Sequence, residues 1–308
     1  MDTLILKLGA TGDVVRTTPL LRRLEGPVTW VTASKNKPLL DGLEAQSPTV
    51  QVIQWEDRSI LTGKHFDLVI SLEDDPETAG ILNSIRATRL FGAYANAEQS
   101  MSYTEDSSRW FDMSLISRYD RHKADELKFQ NRFTYQELIF SGLGLEFRGE
   151  PYLLPPTSTS ALRGDVAIAS EAGPVWPMKK WAEYGWLKDQ LESRGLTVNY
   201  LPVRPSLSEH LADVRGHRCV VSGDSLPMHL ALGSGIPCVA LFNCTSPWEI
   251  YDYGILTKLI SPILGQFFYK RQFDPNATTA IPRGNVLNAV LEAIDVAAGF
   301  SPRVHATL

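Results

Sequence analysis

The stretch TLILKLGATGD, residues 3–13, decides the fold of this chain. It begins with a short apolar run that predicts a buried strand, and a glycine-containing turn follows before a helical pattern starts at Val14. A strand, a turn of this kind and a helix, in this order, form the start of a βαβ unit. The chain therefore opens as an α/β domain with a parallel sheet.

The same alternation continues along the rest of the chain. Strand patterns recur at 28–32, 50–55, 68–72, 86–93, 165–170, 197–201, 219–222 and 237–242. Helical patterns lie between and after them, at 37–43, 133–143, 180–194, 206–214, 227–234 and 284–298. Strands that alternate with helices in this way predict doubly wound sheets.

One interruption divides the pattern into two halves. Residues 151–160 are rich in Pro, Ser and Thr, which makes them the best candidate for a linker. We therefore predict two α/β domains, residues 1–155 and residues 156–308. Because ligands bind outside the carboxyl ends of parallel strands, we expect a deep cleft between these domains. The last helix is a candidate to pack back on the N-terminal domain.

The composition disfavours several classes of protein. The chain has 308 residues, a formal net charge of -5 and no long run of Lys and Arg, so a nucleic-acid partner is disfavoured. Its three cysteines match no zinc spacing and fit buried thiols in a reducing compartment. The sequence has no signal-peptide pattern and no run of about 18 apolar residues. We expect a cytoplasmic protein, and loose attachment to a membrane surface stays open.

The turn after the first strand carries Gly12 and Asp13, at the mouth of the expected cleft. Glycine lets the backbone turn sharply and approach a ligand closely. A carboxylate at this place could accept a proton from an attacking hydroxyl, although a helix cap is the simpler role for Asp13. The turn matches neither the dinucleotide fingerprint GxGxxG nor a P-loop.

A second motif, SGDSLPMH at residues 222–229, joins the end of a strand to the start of a helix. Backbone N–H groups at a helix start form an anion site, to which Ser225 adds a hydroxyl, and a diphosphate is an obvious ligand. Two simpler roles stay open. Asp224 could cap the helix, and His229, on an otherwise apolar helix, could be a packed core residue.

A third motif, WPMKKW at residues 176–181, places Lys179 and Lys180 between a strand and a helix. A cation at the carboxyl end of a strand could neutralise the phosphate of a leaving nucleotide. A solvated lysine pair is the alternative interpretation.

Taken together, the three stretches resemble glycosyltransferase family 9, the ADP-heptose:lipopolysaccharide heptosyltransferase family. The opening strand with Gly12-Asp13, the run from Gly223 to Ala231 with its continuation to Pro247, and the lysine-tryptophan stretch occur in the family's order. The similarity spans nearly the whole chain. It implies a GT-B fold, in which two Rossmann-like domains face a central cleft, the first binding the acceptor and the second the nucleotide-sugar.

The resemblance also implies an inverting mechanism that needs no metal ion. It makes Asp13 the general base and Lys179 the residue that holds donor phosphate and stabilises the leaving group. It places the remaining donor contacts at Gly12, Lys180, Asp224, Ser225, Leu226, His229 and Thr245. No cofactor is implied beyond the nucleotide-sugar itself, with ADP-heptose as the default donor.

The acceptor side is less specific in the sequence. Residues 109–132 mix aromatic and basic side chains, and the candidates for acceptor contacts are Arg109, Trp110, Arg118 and Arg121. Acidic residues interrupt this segment, so a structural surface segment is an equal alternative. A second mixed segment, 267–273, could approach the cleft or a membrane surface, or pack as part of the C-terminal domain.

Several functions stay open at the level of the sequence. The expected acceptor is a glycan or glycolipid such as the lipopolysaccharide core, and a small natural product is an alternative. A nucleotide-sugar epimerase or a non-catalytic sugar-binding module would share the fold. An oxidoreductase is disfavoured because the first turn lacks the required glycines. We expect a monomer, with peripheral contact at the inner membrane left open.

Overall fold

The computed structural model describes residues 1–43, 50–98 and 100–299. They form two compact units. The first unit comprises Met1–Pro156 together with Trp248–Tyr251, and the second comprises Thr157–Pro247 together with the described residues from Asp252 onward. The division falls one residue after the boundary expected from the sequence, and a four-residue segment from the second half of the chain joins the first unit.

The first unit is built on a six-stranded sheet in the order β3-β2-β1-β4-β5-β6. Its strands are β1 (Thr3–Leu6), β2 (Val28–Thr32), β3 (Val50–Gln54), β4 (His65–Ser71), β5 (Arg86–Ala95) and β6 (Met101–Tyr103). All neighbours pair in parallel except β6, which is antiparallel to β5. The central strand β1 is fully buried, as expected for a parallel strand that is covered on both faces.

The helices of the first unit are short. They are α1 (Thr11–Thr17), α2 (Pro76–Gly80), α3 (Ser108–Phe111), α4 (Arg121–Gln130) and α5 (Tyr135–Leu143). Helix α5 begins with a capping box in which Thr134 and Glu137 bond each other's backbone N–H groups, and it ends at Gly144 in the left-handed conformation. Its apolar face packs against the sheet, so α5 is a fixed support for residues at its start.

The second unit is built on five parallel strands in the order β11-β10-β9-β7-β8. They are β7 (Gly164–Ala169), β8 (Val198–Tyr200), β9 (His217–Gly223), β10 (Cys238–Phe242) and β11 (Leu256–Ile260). The helices are α6 (Tyr184–Glu192), α7 (Leu207–Arg215), α8 (Leu226–Gly233), α9 (Leu264–Phe267), α10 (Pro275–Thr279) and α11 (Arg283–Gly299). Short 3₁₀ helices also occur in both units, among them Thr18–Arg22, Ser34–Leu39, Trp55–Leu61, Ile81–Ser84, Glu105–Ser107 and Pro177–Lys179.

The last helix, α11, belongs to the core of the second unit. Its apolar residues Val286, Val290 and Ile294 are buried in one cluster with Val166 and Val221 from the sheet. Its apolar face therefore covers the sheet of its own unit, and the expectation that the last helix also packs back on the N-terminal domain stays a prediction.

Most elements expected from the sequence are present within one to four residues of their predicted ends, and the doubly wound α/β class is confirmed. The helix expected at 37–43 is wrong, since a 3₁₀ helix at Ser34–Leu39, with Pro38 inside it, occupies the start of this range. Strand β11 was not expected, because its sequence LTKLI is half polar and lies at a sheet edge. The prediction of buried thiols is confirmed for Cys219, Cys238 and Cys244.

No helix within the described part of the chain combines the length and the apolar character that crossing a bilayer requires.

Candidate functional site

The carboxyl ends of β1 and β4 form the first part of the candidate site. These strands pair in parallel, with Leu6 opposite Ser71, so the residues that follow them emerge side by side. The strand order reverses at this point, with β2 on one side of β1 and β4 on the other, which is where open parallel sheets bind ligands. Lys7 and Glu73 meet here, with 2.8 Å between Lys7 Nζ and Glu73 Oε1.

Glu73 also holds the turn that leads into α1. Its Oε1 atom accepts hydrogen bonds from the backbone N–H of Leu8 at 2.8 Å and of Gly9 at 2.9 Å. Helix α1 then starts after Ala10, which has a φ of 39° and is the N-cap residue. Asp13 therefore lies in the first turn of α1 and not at its cap, so the capping role that the sequence left open does not describe it.

Asp13 lies between two cations. Its Oδ1 atom is 3.0 Å from Arg16 Nε, and its Oδ2 atom is 3.9 Å from Lys7 Nζ. The Asp13 side chain is 31% exposed, whereas those of Lys7 and Arg16 are 8% and 9% exposed. The carboxylate is thus the accessible member of a largely buried group of charges, as a proton acceptor for an incoming hydroxyl must be.

The ion pairs continue beyond Asp13 and form a row of six alternating charges within the first unit. Arg16 Nη1 is 3.7 Å from Glu249 Oε2, and Lys128 Nζ is 3.8 Å from Glu249 Oε1. We call this row the charge chain, and its members in order are Glu73, Lys7, Asp13, Arg16, Glu249 and Lys128. The row contains three acidic and three basic side chains, so each of them has a neighbour of opposite sign.

Aromatic rings of α3 and α5 pack against the charge chain. The Arg16 guanidinium lies 4.2 Å from the centroid of the Tyr135 ring and 5.4 Å from that of Trp110. The two rings meet edge to face at 4.9 Å, and the Tyr135 hydroxyl is 2.8 Å from Thr17 Oγ1. Trp110, expected from the sequence to contact acceptor, therefore lies beside the residues that surround Asp13.

The buried lysine of the charge chain stays charged. Burial alone would lower the pKa of Lys7, but Glu73 and Asp13 outweigh it and raise the pKa above its usual value. Burial raises the pKa of Tyr135, an effect that Lys7 and Arg16 partly offset. The phenol is thus neutral and can donate or accept a hydrogen bond, but it supplies no charge to the site.

The three arginines expected on the acceptor side lie in other surroundings. Arg109 stacks 4.4 Å from the Phe133 ring and lines a groove of about 440 Å³ with Asp112 and Phe133. Arg118 donates to Asp112 at 2.8 Å and to Glu105 at 3.0 Å. These pairs hold the Arg118 side chain against its own segment. The partners of Arg118 are Glu105, Asp112 and Tyr103, and Asp13 is not among them.

Arg121, the third arginine, donates to the carbonyl oxygen of Ser114 at 3.1 Å and pairs with Asp125 one turn along α4. Acceptor contacts by all three arginines remain predictions.

In the second unit, the carboxyl ends of β7 and β9 bring two of the sequence motifs together. The strands pair in parallel, with Ala169 opposite Ser222. Lys179 follows β7 in a 3₁₀ turn, Pro177–Lys179, and Asp224 directly follows β9. Lys179 Nζ is 3.0 Å from Asp224 Oδ2, and the side chains are 20% and 14% exposed.

Gly223 makes this approach possible. A Cβ atom at position 223 would lie 2.4 Å from the carbonyl oxygen of Lys179. Real Cβ contacts are essentially never that short, so any side chain would push the lysine turn away. The glycine of the second motif therefore serves packing between the two motifs, a role that the sequence alone did not identify.

The partners of Asp224 keep it ionised. Burial would raise its pKa, but Lys179, the His229 ring and the Thr245 hydroxyl together outweigh burial and lower the pKa to about 2. His229 is 3% exposed within α8, so it is a packed residue that also acts electrostatically on Asp224. The packed role that the sequence left open therefore applies to His229, and its donor contact stays a prediction.

Helix α8 begins beside this pair. Its N-cap residue is Ser225, whose Oγ atom is 3.0 Å from Ser222 Oγ, and its first residues are Leu226 and Pro227. Asp224 is therefore not the cap of α8. The first turn of a helix leaves N–H groups for outside acceptors, so Leu226 stands at a place suited to phosphate.

Two predicted donor residues lie around the same sheet edge. Lys180 Nζ is 3.4 Å from Glu171 Oε1 on an exposed surface, while its carbonyl oxygen accepts a hydrogen bond from Asn243 at 3.1 Å. Thr245 is 1% exposed in the loop after β10. Of the two lysines, Lys179 pairs with Asp224, whereas the side chain of Lys180 is more exposed and pairs with Glu171.

Among the described residues, no cluster of side chains meets the requirements of a metal site. Residues 1–43, 50–98 and 100–299 contain no cluster of three or more His, Cys, Asp or Glu side chains that could hold a metal ion. The expectation that no metal takes part stays a prediction. Gly12, the remaining site residue, is the second residue of α1, next to Asp13.

No protein-family model matches the chain, and no curated protein matches it in sequence. Solved structures do match it. The heptosyltransferase WaaC of E. coli, solved with ADP, is 16% identical with a TM-score of 0.60, over 95% of this chain and 100% of that one. A family 9 glycosyltransferase of Veillonella parvula is 16% identical with a TM-score of 0.63, over 96% and 97%. This chain has the fold of family 9 glycosyltransferases.

A third similar structure contains iron. It is TibC, an iron-containing dodecameric glycosyltransferase of enterotoxigenic E. coli, 13% identical with a TM-score of 0.58 over 97% of this chain and 80% of that one. The likeness to all three structures shows the fold, and it confirms the prediction of two Rossmann-like domains of the GT-B class.

Sequence reasoning missed five residues of the two sites. Lys7, Arg16 and Glu73 surround Asp13, Glu249 extends the charge chain, and Gly223 allows Lys179 to reach Asp224. A usable signal existed for Lys7 and Glu73, because each directly follows an apolar strand pattern. No such signal existed for Glu249, whose segment lies in the second half of the sequence but in the first unit.

Proposed function

We propose that this chain is an inverting, metal-independent glycosyltransferase. It would move a sugar, by default a heptose, from an ADP-linked donor to a hydroxyl of the lipopolysaccharide core or of another glycan. The fold supports transfer from a nucleotide-sugar, because the similar structures are glycosyltransferases and WaaC was solved with ADP.

One observation carries the proposal. Two motifs far apart in the sequence meet as the Lys179–Asp224 pair at the carboxyl edge of the second sheet, beside the start of α8. An ammonium group has three donors, and the bond to Asp224 uses one of them. The others, with the N–H groups at the start of α8, would bind a diphosphate.

In the proposed reaction, Asp13 accepts the proton of the acceptor hydroxyl. The hydroxyl oxygen forms a bond to the anomeric carbon, while the bond from that carbon to the diphosphate oxygen breaks and the nucleoside diphosphate leaves. Attack from the face opposite the diphosphate inverts the configuration. Charge develops on the departing diphosphate, and Lys179 would stabilise it there.

Asp224 has a positioning role in this scheme. Its carboxylate fixes the Lys179 side chain, which would otherwise retain the freedom of a long flexible chain. Asp224 would also contact the donor sugar, as the family resemblance implies. Thr245 and His229 would keep the carboxylate charged, since both lower its pKa.

A thermal-shift screen tests the proposed donor. We expect ADP to raise the melting temperature more than UDP, GDP or NAD does, because ligands stabilise the state that they bind. A Lys179→Met variant should lose most of the shift, while Lys188→Met, which removes a lysine from a surface pair with Glu192, should keep it. Stabilisation by NAD, and by no nucleoside diphosphate, would refute the proposal.

The remaining elements of the proposal concern the surroundings of the enzyme. We expect it to act as a monomer in the cytoplasm, with peripheral contact at the inner membrane where a glycolipid acceptor would lie. Sedimentation of the pure protein, and its binding to vesicles, would test these two expectations.

A further inference from the structure

We propose that Glu73 and Lys7 are positioning residues that set the basicity of Asp13. Glu73 would hold the turn that carries the base and would draw the buried lysine away from it. This inference rests on the proposed function only in taking Asp13 as the base, and the charge chain itself is independent of that role.

The geometry distinguishes the two carboxylates that share Lys7. Lys7 Nζ is 2.8 Å from Glu73 Oε1 and donates a hydrogen bond to it, whereas its distance to Asp13 Oδ2 is 3.9 Å. The lysine is thus bound mainly by Glu73. A carboxylate that is bound less tightly by a cation is a stronger base, because the cation stabilises its charged form less.

Glu73 also fixes where the base stands. Its Oε1 atom accepts from two successive backbone N–H groups, those of Leu8 and Gly9, a few residues before Asp13. The Glu73 side chain is 11% exposed, so these charge-assisted bonds are shielded from water. One carboxylate therefore holds both the turn and the cation beside Asp13.

Other charged and titratable groups also face Asp13 and must be counted. They come from five elements and the segment 248–251, and they are Lys7 after β1, Glu73 after β4, Arg16 in α1, Tyr135 in α5, Lys128 in α4 and Glu249. Arg16 differs from Lys7, because it lies closer to Asp13, at 3.0 Å, than to Glu249, at 3.7 Å. The charge chain has three acidic and three basic members. Removal of one member therefore changes the net charge around Asp13 by one unit of known sign.

Two single variants should move the base in opposite directions. Glu73→Gln keeps an oxygen for the backbone N–H groups but leaves the Lys7 charge beside Asp13, so the pKa of Asp13 should fall by about half a unit. Lys7→Met removes a cation at 3.9 Å, and the pKa should rise by about one unit, the effect of a charge at that distance in a water-like medium.

The double variant Lys7→Met/Glu73→Gln removes one charge of each sign. The pKa of Asp13 should then lie between the values of the two single variants, because the two shifts partly cancel. If Glu73 and Lys7 served only to support the structure, each substitution would lower stability and the two losses of stability would add, but the pKa of Asp13 would not shift in opposite directions. Glu77→Gln is the matched control, since Glu77 lies four residues further along and is 71% exposed in a surface pair with Arg58.

The experiment follows the ¹³C signal of the Asp13 side-chain carboxyl as a function of pH, with the signal assigned by its loss in Asp13→Asn. The proposal is supported if the pKa of Asp13 shifts in opposite directions in the two single variants and takes an intermediate value in the double variant. Shifts in the same direction, or none, overturn it. Because no substrate is needed, this result stands apart from the proposed function, which fails if the wild type transfers no sugar from any nucleotide-sugar.

The pH dependence of kcat/KM supplies a second readout. Its acid limb should move to lower pH in Glu73→Gln and to higher pH in Lys7→Met, by the same amounts as the NMR titration. Where Lys7→Met folds poorly, the double variant, which keeps the charge balance, and Glu73→Gln alone still decide the question. A limb that stays in place in all variants would contradict the proposal.

Discussion

The substitution Gly223→Ala tests whether the donor site depends on the close approach of two motifs. The new Cβ atom would stand 2.4 Å from the carbonyl oxygen of Lys179. Strand β9 cannot yield, because Gly223 pairs with Leu241 in β10 and its neighbour Ser222 pairs with Ala169 in β7. The 3₁₀ turn Pro177–Lys179 must therefore move.

The size of the effect follows from this contact. Cβ atoms essentially never lie closer than 3.0 Å to another heavy atom, and the new Cβ would lie 2.4 Å from the carbonyl oxygen of Lys179. The carbonyl must therefore move away by about 0.6 Å. Overpacking of this kind typically costs about 1–3 kcal/mol of folding free energy. The same movement shifts the backbone of Lys179, whose Nζ contacts Asp224 at 3.0 Å, and so disturbs the geometry of this pair. We expect ADP affinity to fall about tenfold, or about 1.4 kcal/mol.

Two assays measure these changes. Urea unfolding gives the loss of folding free energy, and isothermal titration calorimetry gives the dissociation constant for ADP. Gly173→Ala is the control, because a Cβ at position 173 meets no atom within 4 Å and lies in the loop that leads to the same turn. If Gly223→Ala and Gly173→Ala match the wild type in both stability and affinity, the packing argument is refuted.

Two further predictions concern charge. Asp224→Asn should lower the free energy of unfolding by about 2 kcal/mol at neutral pH, since the pKa of Asp224 is about 2 against a usual 3.8. A carboxylate with a lowered pKa stabilises above its unfolded pKa, so in urea unfolding the difference from wild type should stay constant down to about pH 5 and shrink as the pH falls toward 2. Equal stabilities at neutral pH would contradict this. Sugar transfer should also persist in EDTA, because Lys179 and the start of α8 would stabilise the diphosphate charge in the proposed site. A loss of transfer that Mg²⁺ restores would show that a metal takes part.

The periodicity of the sequence was sufficient to predict the α/β class and most elements. Strand β10, with the sequence CVALF, is buried at every position, and such runs bounded by Pro and Asn are typical of central parallel strands. The strand pattern failed where burial is partial. Strand β11 lies at a sheet edge, has two polar residues among its five and is mostly half-exposed or exposed, and β6 has only three residues.

The site could be predicted only where its residues stand in motifs. Asp13, Lys179 and Asp224 each follow a strand at its carboxyl end, so the rule for parallel sheets locates them. Their partners depend on which strands are neighbours. That β1 pairs with β4, and so brings Glu73 to Lys7, is a property of the sheet order, which no local pattern reveals. The pairing of Arg118 with Glu105 and Asp112 was likewise not evident from the local sequence, and its acceptor contact stays a prediction.

The central claim is that Asp13 is the proton acceptor of a sugar transfer. Its most direct test is the transfer rate of Asp13→Asn under single-turnover conditions, with Asp41→Asn, in an exposed pair with Lys37, as the control. The account predicts a rate lower by about 10²–10⁴, the usual contribution of general base catalysis, and an unchanged ADP affinity, because the Lys179–Asp224 pair lies in the other unit. An Asp13→Asn enzyme that transfers sugar at the wild-type rate would contradict it.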